Sequence, residues 1–236
     1  MSSVETSLRG AKGYSILPAL LGLGLALMGP FVFQWFIGPY FEAVAEPVAA
    51  VLLGQGFLWL LVLGVIAITL YWERKPLTSL GFRPLRPGMA LLAIALGILL
   101  SVALPFLGKF VSQLFPASQG AGTLGTSTNA PAWVWFVMIL TASVTEEILF
   151  RAYPLERVTS LTGNMWFAAL LSLAAFVLVH TRGIWSPAHV LGAVLPGGAI
   201  QTALYLWRRN LPFVILVHFL INLPLVLIAA GILPGL

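Results

Sequence analysis

The stretch WVWFVMILTASVTEEILFR, Trp133 to Arg151, decides how the rest of the chain is read. Its first twelve residues have the composition of a membrane helix. Its last seven, TEEILFR, set two glutamates side by side with an arginine one turn later. The whole chain has seven acidic residues, none of them aspartate. Ionisable groups within a span are costly, and they face the protein interior or a water-filled cavity. Two together need a reason.

The surroundings are those of a membrane protein throughout. The 236 residues are 60% hydrophobic and 8% charged, against about 25% charged in a typical soluble chain. The mean hydropathy of +1.01 agrees, and the length is that of one domain. There is no cysteine, which excludes disulfides, thiolate-bound zinc, iron–sulfur clusters and a thiol nucleophile. The net charge of +5 does not point to nucleic acid, because the basic residues lie in short loops between apolar runs.

A helix needs about 20 apolar residues to cross a bilayer. Seven stretches qualify, roughly 14–37, 47–72, 88–110, 131–153, 164–183, 188–207 and 211–234. The expected fold is all-α, a polytopic membrane helical bundle of about seven transmembrane helices, within a range of six to eight. The first run is too long for a signal peptide and reads as a retained helix with a possible break at Gly29-Pro30. Residues 111–130 form a polar loop, and Pro224 breaks the last span. One integral domain divides into N-terminal helices and loops, 1–130, and a core, 131–236.

Orientation follows from lysine and arginine. With the N-terminus inside, the inner segments carry Arg9, Lys12, Arg74, Lys75, Arg83, Arg86, Arg151, Arg157, Arg208 and Arg209, and the outer ones only Lys109 and Arg182. This predicts an N-in, C-out integral protein of a bacterial cytoplasmic membrane.

Helix geometry sorts the polar residues. Glu147 and Arg151 are four apart and share a face, whereas Glu146 lies about 100° round the helix. One carboxylate is anchored, and the other is left for chemistry. A Glu–Arg pair alone is a structural element; the unpaired Glu146 is what that explanation leaves over. His218 and Asn222 in VHFLIN are four apart, as are Phe176 and His180 in FVLVH. Taken singly, each histidine reads as a buried polar residue of the core. His189 opens the sixth span at the membrane edge. Glu146 and His180 lie equally far from the turn LTGN, 161–164, so antiparallel helices bring them to one depth. His218 follows Arg208 and Arg209 closely, and reaches that depth only if the fourth and fifth spans protrude past the membrane face, with Glu156 and Arg157 outside the lipid.

The motifs EEILFR, FVLVH and HFLIN, in this order, resemble those of the CPBP intramembrane proteases, the CAAX prenyl protease and bacteriocin-processing (Abi) family, over about residues 131–225. The resemblance implies that Glu146 activates water as general base, while Glu147 with Arg151 orients it. It implies that His180 assists the water or protonates the leaving amine. His218 and Asn222 would stabilise the tetrahedral oxyanion. The substrate would be a membrane-associated or lipid-modified protein or peptide, and no cofactor is expected. Two histidines and a glutamate also form the ligand set of some catalytic zinc sites. The alternative is therefore zinc on Glu146, His180 and His218, although the chain has no HExxH. Two other functions compete: a non-catalytic immunity or assembly factor on the same fold, in which Glu146 tolerates replacement, and a proton-coupled carrier. The carrier is disfavoured by the lack of an inverted repeat.

Overall fold

The computed structural model describes residues 16–115, 130–181 and 186–234. Arg9, Lys12 and Arg182 and most of the expected polar loop lie outside them. Seven helices build the described residues: α1 (Ile16–Val44), α2 (Pro47–Trp72), α3 (Pro87–Leu114), α4 (Ala132–Thr162), α5 (Met165–His180), α6 (Pro187–Arg208) and α7 (Leu211–Ala229). Six are long and apolar enough to cross a membrane; α5 is not. The protein is an integral membrane helical bundle, as composition predicts. The α5 helix has 16 residues, or about 24 Å at 1.5 Å per residue, short of the ~30 Å hydrocarbon core.

Large apolar side chains on the outside, among them Leu60, Leu91, Leu99, Phe106 and Leu170, form the surface that lipid covers. The centre is α4. More than half of its apolar window is buried, against a third or less in every other candidate span. Glu147 through Leu155 is buried without a break, so the glutamate-bearing turn is the core of the bundle.

Proline shapes these helices without ending them. Four wide turns, Gly24–Met28, Phe33–Ile37, Glu147–Ala152 and Val190–Val194, each stop two residues before Pro30, Pro39, Pro154 and Pro196. A proline ring pushes away the carbonyl one turn back and supplies no N–H, so the turn before it widens. Gly38, Tyr153 and Leu195, immediately before their prolines, donate to carbonyls five residues back. The break expected at Gly29-Pro30 is thus a wide turn within a continuous helix. Likewise α7 runs through Pro224 and ends at Ala229. On α4 the Phe150 carbonyl, four residues before Pro154, accepts from the Ser172 hydroxyl of α5, which ties the two helices together through main chain.

The helix ends bearing most of the arginines form one basic end, joined by one buried and one partly exposed ion pair. Arg157 Nη2 lies 2.7 Å from Glu73 Oε2, and the Tyr153 hydroxyl donates to Glu73 Oε1 at 2.9 Å. Arg209 Nη1 is 2.5 Å from Glu156 Oε1, to which the Tyr205 hydroxyl also donates. Lys75, in the adjoining loop, is held below the ordinary lysine range first by burial and next by the Arg157 guanidinium. Asn210 caps α7 by accepting from the Phe213 N–H at 3.0 Å. The Leu211 N–H donates to the Gly81 carbonyl at 2.7 Å. Gly81 has φ +77°, and a Cβ there would press on the Tyr205 hydroxyl and the Arg209 carbonyl. Only glycine suits that turn.

Candidate active site

Glu146 and Glu147 sit where α4 passes from its regular part into the wide turn, and they point different ways. Glu147 is fully buried. Its Oε1 accepts from Arg151 Nη1 at 3.2 Å and from His218 Nδ1 at 2.8 Å. Arg151, equally buried, reaches across to the Gly198 carbonyl of α6 at 3.4 Å. Its guanidinium lies 4.2 Å above the Phe176 ring, a cation–π contact. That approach depends on Gly198, where a Cβ would come within 2.8 Å of Phe176 and 2.9 Å of Leu173.

Glu146 is only partly buried and makes none of these contacts. Its two oxygens face the two imidazoles, Oε1 at 3.6 Å from His180 Nε2 and Oε2 at 4.0 Å from His218 Nε2. The equal-depth argument for Glu146 and His180 holds. His218 of α7 reaches the same carboxylate, and α4 continues beyond the Glu156–Arg209 pair to Thr162. Seven residues of α7, starting at Leu211, precede His218, which places the site about 10 Å along the helix from the basic end.

Hydrogen bonds assign both imidazole tautomers. A carbonyl oxygen only accepts, so the 2.8 Å contact between His180 Nδ1 and the Phe176 carbonyl puts a proton on Nδ1. His180 also stacks on the Phe176 ring at 4.2 Å between centroids. His218 Nδ1 donates to the Glu147 carboxylate. Each Nε2 is therefore the nitrogen turned to Glu146, a lone pair in the neutral ring and a donor in the imidazolium. Asn222 lies one turn beyond His218 on α7 and makes no hydrogen bond to a described residue.

The structure thus gathers Glu146, Glu147, Arg151, His180 and His218 from α4, α5 and α7, with Asn222 one turn from His218 and not bonded to a described residue. Three contributors have no signature in residue type: the Phe176 carbonyl, the Gly198 carbonyl and Ser172. His189, expected at the membrane edge, donates through Nε2 to the His180 carbonyl at 3.1 Å, bracing the end of α5. The Pro196-Gly197-Gly198 run is the one sequence signal that a close helix approach lies here.

As a zinc set the donors are of a suitable kind, but their spacing is not. Ligand atoms on a tetrahedral ion at 2.0–2.1 Å lie about 3.3 Å apart, shorter than both separations at Glu146. Among the described residues no group of three His, Asp or Glu side chains is placed to hold a metal ion.

Comparison with known proteins agrees with the motifs. Residues 128–224 match the family model described as Type II CAAX prenyl endopeptidase Rce1-like, a segment containing all six candidate residues. The UPF0177 protein YbdI of Lactococcus lactis subsp. lactis (strain IL1403) is 33% identical over 89 residues, 37% of this chain and 45% of that protein. The chain spans less than half the length of this curated relative. No solved structure matches.

Proposed function

We propose that the chain is an intramembrane endopeptidase in which Glu146 activates the water that cleaves a peptide bond, a reading supported by the match of residues 128–224 to the Rce1-like family model. The observation carrying this is the convergence of three helices on an unanchored carboxylate: His180 at 3.6 Å and His218 at 4.0 Å flank Glu146, while Arg151 holds Glu147.

In the proposed reaction Glu146 takes a proton from water as the water oxygen bonds to the carbonyl carbon. The carbonyl π electrons move to oxygen, which becomes the tetrahedral oxyanion. Donors for it are the Asn222 amide and His218 Nε2–H. Because His218 Nδ1 already donates to Glu147, Nε2 donates only as the imidazolium, and the Glu147 carboxylate offsets that charge. Collapse breaks the C–N bond, and the proton on Glu146 passes to the amine, directly or through His180 Nε2. Arg151 and Glu147 position the rest. No step is routed through a metal, since the donor spacing does not suit one. A chelator is accordingly expected to leave cleavage by the purified protein unchanged, and metal analysis to find less than one equivalent of zinc. Loss of activity on chelation with recovery on adding zinc would overturn this point.

Asn222→Ala should lower kcat by about 10²–10³, the usual loss for one oxyanion donor, with KM little altered. Steady-state kinetics on a cleaved peptide checks it. The substrate class is a membrane-associated or lipid-modified protein or peptide, cut about 10 Å from the basic end. That end would face the cytoplasm of a bacterial cell. The deciding experiment compares protein termini in membranes of cells expressing wild type or Glu146→Gln at matched levels. Fragments that vanish in the variant identify the substrates; identical termini, with the variant stably accumulated, favour a non-catalytic partner-binding role.

A further inference from the structure

A second polar site lies at the basic end. A cavity of about 240 Å³ opens between the loop after α2 and the junction of α6 and α7, lined by Thr78, Ser79, Gly81, Arg83, Glu156 and Arg209. Arg209 enters it already paired with Glu156. The exposed Arg83 side chain forms no ion pair or hydrogen bond with a described residue; only its carbonyl is used, by Asn210. A free guanidinium, a second guanidinium and two hydroxyl-bearing residues around one hollow make an anion receptor.

The charge balance favours an anion despite Glu156. Arg74, Lys75, Arg83, Arg86, Arg157, Arg208 and Arg209 stand at this end against Glu73 and Glu156, an excess of five positive charges. Depth names the source. Tyr71, Trp72, Trp166 and Trp207 expose their rings at the ends of α2, α5 and α6 on this same side. Tryptophan and tyrosine mark the headgroup level of a bilayer, and basic pockets between helices at that level take anionic lipid headgroups. We infer that the Arg83–Arg209 cavity binds the phosphate of an anionic phospholipid headgroup. The inference rests on the membrane setting alone and not on peptidase activity. Its consequence is local: the lipid would clamp the loop to the start of α7, which Gly81, Arg83 and Pro84 already hold through main-chain carbonyls and which carries His218.

The test is thermal unfolding of the full chain in a neutral detergent with phosphatidylglycerol, phosphatidylcholine or inorganic phosphate added. Phosphatidylglycerol should raise the midpoint by about 4 °C, and phosphatidylcholine should not. Arg83→Gln should remove at least half of that rise without lowering the lipid-free midpoint, because the Arg83 side chain has no structural partner. Arg86→Gln, an exposed cation on the same loop outside the cavity, should leave the rise intact. An equal loss in both variants means a diffuse surface charge effect and overturns the site. An equal rise with inorganic phosphate means a soluble anion and overturns the lipid assignment.

Discussion

Glu146→Gln is expected to lower peptide cleavage by about 10³-fold, within the range assigned to general bases, while leaving the unfolding midpoint within a degree or two. The two halves of the expectation have separate grounds. Glutamine keeps the size and polarity of the side chain but cannot take a proton from water. The fold should hold, because Glu146 is partly exposed, does not bond Arg151 and meets the network around Glu147 only through His218 Nε2 at 4.0 Å. Single-turnover rates on a peptide identified in cells, with thermal unfolding in parallel, test both. A variant retaining a tenth of the wild-type rate would end the general-base assignment.

Glu147→Ala should fail in the other direction, by loss of the protein itself. One carboxylate oxygen holds both Arg151 and His218. Deleting it leaves a fully buried guanidinium with only the Gly198 carbonyl and the Phe176 ring for company. Breaking a buried pair in this way costs about 3–5 kcal/mol, a large part of the stability of a single domain. The expected result is poor accumulation in membranes and, for any protein recovered, a midpoint lowered by about 10 °C. An alanine variant as stable as wild type would show that the pair is not the anchor.

The contrast between adjacent glutamates was legible in the sequence, because spacing on a helix decides which of them can meet Arg151. Matching Glu146 to His180 was legible too, since both sit equally far from one tight turn. Other features were not, for reasons of kind. Nothing in the composition of α5 distinguishes a short helix from a spanning one until its end at His180 is seen. Acceptor carbonyls such as those of Phe176, Gly198 and Phe150 belong to the backbone, and no residue type announces them. Pro30 and Pro224 read as breaks, although a helix packed on its neighbours absorbs a proline by widening a turn or carrying the missing bond.

The wide turn before Pro154 sets the rotational phase of α4. Each residue of an ordinary helix turns the next by about 100°, so one residue's worth of extra winding swings everything beyond it through a similar angle. Upstream, the helix must aim Glu146 and Glu147 at α5 and α7. Downstream, it must aim Tyr153 and Arg157 at Glu73, and Glu156 at Arg209. A uniform helix would present only one of these faces correctly. Pro154, remote from any reacting atom, thereby keeps the chemical half and the tethering half of one helix in angular agreement.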